Sequence, residues 1–239
     1  MRIAAVILAG GKGSRLSSLN LDIPKALTPF GGKPILQRAI ERVSPQVAEV
    51  YVAAGRNVAT IREGVAAMPS IFFLEDENLG TGRALIKATT EINAKHIIIC
   101  NADTINDLNL SMLLLEHVRR GKGSTIALTR QKDAQNAGAF RVAQDGQVLR
   151  SLEDLHPRGR NTYCSWLGAS TGVIVVPLTA LKDGRLAGSV SIEQEIIPHL
   201  IDTGGLFAFD NRSRLCLDIG TPKRLSFMRK NEQILKNLF

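Results

Sequence analysis

Near its amino terminus the chain reads Val6-Ile-Leu-Ala-Gly-Gly-Lys-Gly-Ser-Arg-Leu16, an apolar segment that leads into a glycine-rich loop. The apolar run 3–9 is far shorter than the roughly 20 residues of a membrane helix, and it predicts a buried β-strand. Glycines directly after a strand let backbone amides approach a ligand closely and point toward phosphate oxygens. The stretch therefore predicts an α/β fold with an anion-binding loop after its first strand.

Two familiar phosphate-binding patterns fail on spacing in this loop. The dinucleotide fingerprint G-x-G-x-x-G could start at Gly11 and Gly13, but its third glycine position holds Leu16. The P-loop pattern G-x-x-x-x-G-K-[ST] does not fit the loop either. The loop and the segment after it offer Arg15 and Lys25 instead. An arginine can bind phosphate oxygens in bidentate fashion, and a lysine acts as a compact point charge beside them.

Strand and helix patterns alternate along the first half of the chain, as is typical of a parallel α/β sheet. The predicted strands are Ile3–Leu8, Val50–Ala53, Ile71–Leu74, Ile97–Cys100 and Ser124–Leu128. The predicted helices between them are Ile35–Val43, Ala59–Ala67, Ala84–Ile92 and Leu110–Arg120. The second half is richer in strands, predicted at Gly138–Val142, Gln147–Leu152, Ser170–Val176, Leu206–Phe209 and Leu215–Asp218, with helices near Ile192–Ile201 and from Thr221 onward. Because no flexible linker separates the halves, we predict one domain over residues 1–239.

The composition excludes several classes of protein. With 239 residues, 44% of them apolar and 22% charged, the chain is neither disordered, collagen-like nor a disulfide scaffold. Its net charge of +8 favours anionic partners, but the basic residues are scattered and only 5% of residues are aromatic. We therefore predict phosphorylated small molecules as partners, and neither nucleic acid nor a membrane. Cys100, Cys164 and Cys216 lack CxxC spacing, which indicates reduced thiols in a cytoplasmic protein.

The glycine loop resembles the signature of the sugar-1-phosphate nucleotidylyltransferases, which make nucleotide-sugars from a nucleoside triphosphate and a sugar 1-phosphate. Further segments along nearly the whole chain are similar to motifs of that family. They are Pro24-Lys25, Pro29-Phe-Gly-Gly-Lys-Pro34, Leu79-Gly-Thr-Gly-Arg-Ala84, Asn101-Ala-Asp103, Ser191-Ile-Glu-Gln-Glu195 and Leu217-Asp-Ile-Gly-Thr-Pro222. The short heptose-1-phosphate guanylyltransferase-like members look most similar. The resemblance implies a Rossmann-like, mostly parallel sheet with helices on both faces. It also implies a nucleotide-binding half over about 1–130 and a smaller β-rich, sugar-binding half over about 131–239.

The resemblance also implies roles for individual residues. Arg15 and Lys25 would be the catalytic cations, Arg15 on the α-phosphate and departing pyrophosphate and Lys25 between the two reactants. The nucleotide would be bound by Leu8, Ala9, Gly10, Gly11, Gly13, Ser14, Gly80, Thr81, Gly82 and Asn101. The sugar phosphate would be bound by Gly138, Glu153, Thr171, Gly172 and Glu193.

Two carboxylates at predicted strand ends are candidates for a metal site. Asp103 lies just beyond the buried run Ile97–Cys100, and Asp218 closes the strand Leu215–Asp218. Ligands bind at the carboxyl ends of strands in open parallel sheets, and two carboxylates together with substrate phosphates can hold Mg²⁺. By itself Asp103 reads more readily as a turn or capping residue, since Thr104, Asn106 and Asp107 follow it, but the resemblance implies that both carboxylates are Mg²⁺ ligands.

The chain departs from the family pattern at two places. Asp154 stands where the family usually has a lysine that contacts the sugar phosphate, and Ser170-Thr171-Gly172 stands where it usually has N-A-G. Arg158 and Arg160 are candidates for the missing positive charge. These departures leave either a changed sugar specificity or a neutral variation open.

We expect a sugar-phosphate oxygen to attack the α-phosphorus of the triphosphate and to release pyrophosphate, with GTP and a heptose-like sugar 1-phosphate as first choice. Members of the same family that use UTP, dTTP or CTP are alternatives, as is a catalytically silent, nucleotide-binding regulatory homologue. Cofactor-cytidylyl and molybdopterin-guanylyl transferases share the glycine loop but lack the Asp-Ile-Gly-Thr-Pro segment. The sequence leaves a monomer and a homo-oligomer equally open.

Overall fold

The structure is a computed structural model, and it describes residues 2–10, 23–66, 70–75, 80–130, 138–151, 164–212 and 215–236. Within these ranges the strands are β1 (Ile3–Leu8), β2 (Pro29–Phe30), β3 (Lys33–Pro34), β4 (Glu49–Ala53), β5 (Ile71–Leu74), β6 (His96–Asn101), β7 (Thr104–Asn106), β8 (Ser124–Arg130), β9 (Ala139–Val142), β10 (Val148–Ser151), β11 (Trp166–Pro177), β12 (Leu206–Asp210) and β13 (Cys216–Asp218). The α-helices are α1 (Ile35–Val43), α2 (Val58–Glu63), α3 (Thr81–Glu91), α4 (Leu110–Arg120), α5 (Leu178–Leu181), α6 (Ile197–Asp202), α7 (Pro222–Lys230) and α8 (Glu232–Leu235). None of the helices in the described ranges is long and apolar enough to cross a membrane.

Nine of the described strands form one twisted sheet. Its main order is β10-β9-β11-β6-β1-β4-β5, and β8 pairs with both β11 and β12. The strands β1, β4, β5 and β6 pair in parallel, as do β8 and β12. Because β11 pairs antiparallel with β6, β8 and β9, it runs against them, and β10 runs against β9. Most strands of the described sheet therefore point the same way, as predicted for the α/β class.

Alternate residues of the central strand β1 enter two different cores. Ala5 and Ile7 pack on the face covered by α1 and α4, whereas Ala4 and Val6 pack on the face covered by α3 and α6. Such burial on both faces explains why β1 reads as a continuous apolar run in the sequence. The predicted helices on both faces of the sheet are thereby observed.

A third, smaller core lies beside the carboxyl edge of the sheet. It joins Phe30 of β2, Ile105 of β7 and Ile219 to Leu225, Met228 and Leu235 from α7 and α8. The backbone amide of Gly31 also donates a hydrogen bond to the carboxylate of Glu232. The last described helices therefore dock on this chain's own core, next to β2 and to β7, which follows β6.

The observed boundaries differ from the predicted ones in a few places. The predicted helix 59–67 ends at Glu63, where Gly64 follows as the cap. The predicted strand 170–176 extends over the twelve residues Trp166–Pro177, because its earlier part pairs with β9 and its later part with β6. The predicted helix near 192–201 begins as a π-helical turn, Ile192–Ile196, before α6.

Candidate active site

The carboxyl ends of the two central strands lie side by side. Leu8 of β1 is in register with Asn101 of β6, and the Ala102 amide donates to the Leu8 carbonyl at 3.1 Å. On the other side of β1, the Ala9 amide donates to the Ala53 carbonyl at 2.8 Å. Ligands of open α/β sheets bind in the crevice beyond such strand ends. The sheet therefore brings together three of the predicted nucleotide-binding residues, Leu8, Ala9 and Asn101.

Lys25 forms an ion pair with the predicted metal ligand Asp103. Lys25 lies in a 3₁₀ turn, Lys25–Leu27, whose other residues Ala26 and Leu27 are buried in the core. Its Nζ donates to Oδ2 of Asp103, and the two side chains are 14% and 29% exposed. Two residues that lie 78 positions apart, both predicted from the sequence, thus meet at the end of β6.

The second predicted metal ligand, Asp218, stands on the strand next to Asp103. In the β7–β13 ladder Asp218 is opposite Thr104, and the Ile219 amide donates to the Asp103 carbonyl at 3.0 Å. Asp218 Oδ1 accepts a hydrogen bond from the Gly220 amide at 2.8 Å. Its Oδ2 accepts from Nη1 of Arg224, a residue that the sequence analysis missed.

The donor set at this edge fits Mg²⁺. Asp103 and Asp218 supply hard carboxylate oxygens from adjoining backbone positions, and both side chains are partly exposed to solvent. Among the residues that the structure describes, no cluster of three or more His, Cys, Asp or Glu side chains could hold a metal ion. Two carboxylates with water and substrate phosphates completing the octahedron is the usual way in which proteins hold Mg²⁺.

The described part of the first of two motifs, residues 80–84, packs against Val190 and the Ser191–Glu195 motif. The Gly82 amide donates to the Val190 carbonyl at 2.9 Å, and a Cβ on Gly80 would lie 2.1 Å from that same oxygen. Thr81 Oγ1 lies 3.4 Å from a carboxylate oxygen of Glu193, which joins a predicted nucleotide-binding residue to a predicted sugar-binding residue. Gly80 and Gly82 are thus required for packing at the start of α3, whatever else their amides bind.

A pocket beyond the strand ends collects residues predicted for both substrates. Its lining includes Leu8 and Asn101 from the predicted nucleotide set and Gly138, Gly172 and Glu193 from the predicted sugar set. Gly172 has a φ of +75°, and a Cβ there would lie 3.3 Å from Nδ2 of Asn101. Few other residues tolerate this backbone conformation, and a side chain at this position would press against Asn101. The glycine therefore leaves the Asn101 side chain in place at the pocket wall.

Thr171 uses its side chain within the fold. It is fully buried, its hydroxyl donates to the Ala127 carbonyl at 3.0 Å, and its carbonyl accepts from Nδ2 of Asn106 at 2.9 Å. A contact between the Thr171 side chain and a sugar would require this buried side chain to become exposed.

Several predicted site residues lie outside the described residues. They are Gly11, Gly13, Ser14, Arg15 and Glu153, together with Asp154, Arg158 and Arg160.

The two thiols near this edge are held in their protonated form. Burial raises the pKa of Cys100 to about 12 and that of Cys216 to about 11. A thiolate is the reactive form of cysteine, so neither group is a nucleophile near neutral pH. Cys216 instead lies with its Sγ 3.4 Å from the Ser170 carbonyl oxygen.

The missed residue Arg224 had a signal in the sequence. Lys223 and Arg224 directly follow the Leu217–Pro222 motif, whose aspartate the resemblance assigns to a metal. Consecutive basic residues next to such a motif indicate a further cation at the site. The helical position that turns Arg224 toward Asp218 is visible only in the fold.

Residues 5–171 match the family model described as MobA-like NTP transferase domain. The mannose-1-phosphate guanylyltransferase catalytic subunit beta of Xenopus tropicalis is 30% identical over 229 residues, which are 92% of this chain and 61% of that protein. A bifunctional protein GlmU of Methanococcus maripaludis is 30% identical over 150 residues, or 62% of this chain and 35% of that protein. The chain thus spans between about a third and three fifths of the length of these curated relatives.

Solved structures share the fold over nearly the whole chain. HddC from Yersinia pseudotuberculosis, complexed with GMP-PN, superposes with a TM-score of 0.75 at 25% identity and covers 95% of this chain and 98% of its own. The inositol-1-phosphate CTP transferase from T. maritima reaches a TM-score of 0.73 at 16% identity, covering 98% of this chain and 95% of its own. The family model extends over well more than half of the 239 residues. The chain therefore belongs to the MobA-like NTP transferase family, which confirms the resemblance to the sugar-1-phosphate nucleotidylyltransferases.

Proposed function

We propose that this protein transfers a nucleoside monophosphate from a nucleoside triphosphate to a sugar 1-phosphate and releases pyrophosphate. The observation that carries the proposal is the meeting of Lys25, Asp103 and Asp218 at the end of β6. This group adjoins a pocket whose lining includes the neighbouring residues Asn101 and Gly172. The arrangement brings cationic and metal-binding groups to the place where two phosphates would have to meet.

The chemistry requires charge neutralisation and positioning more than proton transfer. The attacking phosphate oxygen is already ionised at neutral pH, so the reaction needs no general base. Lys25 would hold the attacking phosphate and the α-phosphate close together. Because its backbone lies in a turn with buried neighbours and its side chain is mostly buried, the position of its ammonium group is restricted. We further propose, from the sequence motif, that Arg15 stabilises the pyrophosphate as it departs.

Asp103 and Asp218 would hold Mg²⁺ when it is bound with substrate. Bound Mg²⁺ would neutralise part of the crowded negative charge of the phosphates. In the structure the two carboxylates themselves are neutralised by Lys25 and Arg224, each of which pairs with one of them.

GTP and a heptose-like sugar 1-phosphate are the proposed substrates. Support comes from the HddC structure, which contains GMP-PN, and from the guanylyltransferase relatives, whose name specifies mannose 1-phosphate. UTP, dTTP and CTP stay open as alternatives, because backbone groups of the glycine loop and of Gly80–Gly82 would read the base edge.

Two rival functions follow from specific observations. The match to a MobA-like model favours a transferase with a different phosphorylated acceptor, whereas the Asp218 segment favours a sugar phosphate. A silent regulatory homologue draws support from Asp154, where the family usually has a lysine. Against a silent homologue, Lys25, Asp103 and Asp218 are all present, and Lys25 lies next to Asp103 at the end of β6.

The test is Mg²⁺-dependent pyrophosphate release over a grid of GTP, UTP, dTTP, CTP and ATP against a panel of sugar 1-phosphates. We expect one combination to exceed the others, with GTP and a heptose-like or mannose-like phosphate as the active pair. Lys25→Ala serves as the negative control, and omission of the acceptor exposes simple triphosphate hydrolysis. An empty grid together with calorimetric binding of a triphosphate would overturn the transferase proposal in favour of the silent homologue.

A further inference from the structure

Arg224 is a cation at the site that no motif accounts for. Its Nη1 donates to Oδ2 of Asp218, and the side chains of the pair are 42% and 36% exposed. A guanidinium carries five N–H donors in a planar fork, so the contact with one carboxylate oxygen leaves most of them available. The half-exposed guanidinium therefore has donors available for an additional anion.

The position of Arg224 on its helix is electrostatically unfavourable without an anion. Lys223 and Arg224 lie in the first turn of α7, which contains no acidic residue, and the positive end of the helix dipole disfavours cations there. The Thr221 side chain caps this turn by accepting from the Arg224 amide at 3.3 Å, which fixes the backbone of the arginine. Asp218 offsets the charge in the structure, and a phosphate would offset it in a complex.

Arg224 is linked through Asp218 and Thr104 to Gly172, one of the residues predicted to bind the sugar. Asp218 is opposite Thr104 in the β7–β13 ladder, and a Cβ on Gly172 would lie 3.4 Å from the Thr104 hydroxyl. Gly172 in turn lines the pocket that also contains Gly138 and Glu193. Lys25, in contrast, reaches the site from the segment that follows the glycine loop.

We propose that Arg224 binds the phosphate of the sugar 1-phosphate acceptor, an inference that rests on the proposed function and adds a specificity-determining residue to it. When the carboxylate of Asp218 has another cation to neutralise, the guanidinium is released toward the acceptor phosphate. This assignment supplies a positive charge that the family usually takes from a lysine and that this chain lacks at Asp154.

The test compares Arg224→Gln with Lys223→Gln, which removes the same charge from the neighbouring, exposed position of the same helical turn. KM is measured separately for the sugar 1-phosphate that is fastest in the grid and for its triphosphate. We expect Arg224→Gln to raise the acceptor KM at least 10-fold and to change the triphosphate KM less than 2-fold. Lys223→Gln should change neither by more than 2-fold, and Arg224→Lys should recover part of the loss.

Calorimetric titration gives a readout that does not depend on turnover. The wild-type chain, Arg224→Gln and Lys223→Gln are each titrated with that sugar 1-phosphate and, separately, with the triphosphate and Mg²⁺. Weaker acceptor binding only in Arg224→Gln supports the inference, and an unchanged thermal midpoint confirms the variant's fold. Equal weakening in both variants, or loss of triphosphate binding in Arg224→Gln, overturns it while the proposed function stands. A wild-type chain without turnover would overturn the proposed function, and this inference with it.

Discussion

The two carboxylates of the site each hold one cation, but the two ion pairs are built differently. Lys25 reaches Asp103 from a turn whose neighbours are buried, and its side chain is only 14% exposed. Arg224 reaches Asp218 from the first turn of a surface helix, and its side chain is 42% exposed. The Lys25 pair is therefore the more buried of the two, and the Arg224 pair is the more exposed to solvent.

This difference in burial suits the two ion pairs to different roles at one site. A cation held by buried neighbours keeps one geometry, which suits the alignment of reacting groups. A long, half-exposed arginine can adapt to ligands of different shape, which suits the binding of an acceptor. We therefore expect turnover to depend mainly on the Lys25 pair and acceptor affinity mainly on the Arg224 pair.

The largest expected effect is the loss of Lys25. Lys25→Ala should lower the turnover number at least 100-fold with saturating substrates, because one lost charge contact to a reacting phosphate costs a few kcal/mol of barrier, about 10²–10³ in rate. Pyrophosphate release measures it, and far-UV circular dichroism checks the fold. Lys87→Ala is the control, since that exposed lysine donates to the Glu75 carbonyl away from the site. Near-normal turnover in Lys25→Ala would remove the distinction between the two pairs.

The next effect distinguishes the two carboxylates. Asp103→Asn should lower turnover about 100-fold at any Mg²⁺ concentration, because it removes a metal ligand and the partner of Lys25 together. Asp218→Asn should cost about tenfold at saturating Mg²⁺ and should chiefly raise the Mg²⁺ concentration that gives half-maximal rate. The measurement is the initial rate as a function of Mg²⁺. Identical Mg²⁺ curves for the two variants would mean that the carboxylates act as one unit.

Acid should weaken the fold through groups at the opposite end of β6. The two ring nitrogens of His117 have different partners. Nε2 of His117 lies 2.9 Å from Nδ1 of His96, and Nδ1 of His117 lies 2.9 Å from the Thr125 hydroxyl. Burial and the neighbouring His96 lower the pKa of His117 from 6.5 to about 4. The unfolded chain therefore binds more protons below pH 6.5, so the free energy of unfolding falls as the pH falls from 6.5 toward 4.

Urea unfolding at pH 7.5, 6.5, 6 and 5 measures this loss. His117→Gln should flatten the dependence on pH between 6.5 and 5, whereas Lys25→Ala should keep the wild-type slope over that interval. An equal slope in wild type and His117→Gln would show that the acid sensitivity arises elsewhere. Any loss of activity that precedes the loss of folded protein would then report on the site itself.

The contrast between the pairs also explains what could be predicted from sequence. Asp103, Asp218 and Lys25 stand in short motifs, and strand periodicity correctly placed both carboxylates at strand ends. Arg224 was missed because its role depends on the helical turn that Thr221 caps, which no periodic pattern reports. The side-chain hydrogen bond of Thr171 to Ala127 and the twelve-residue length of β11 could not be predicted either, since both arise from pairing between distant strands.

The smallest expected effect is on stability. Double-mutant cycles of Lys25→Met with Asp103→Asn, and of Arg224→Met with Asp218→Asn, isolate the energy of each pair in urea unfolding without Mg²⁺. We expect about 1 kcal/mol for the less exposed Lys25 pair and roughly 0.5 kcal/mol or less for the Arg224 pair, in the range of solvent-exposed ion pairs. A stronger coupling in the Arg224 pair would reverse the comparison. Weak coupling in both would mean that the four charges serve ligand binding, because cations that must transfer to phosphates cannot be bound tightly to their carboxylates.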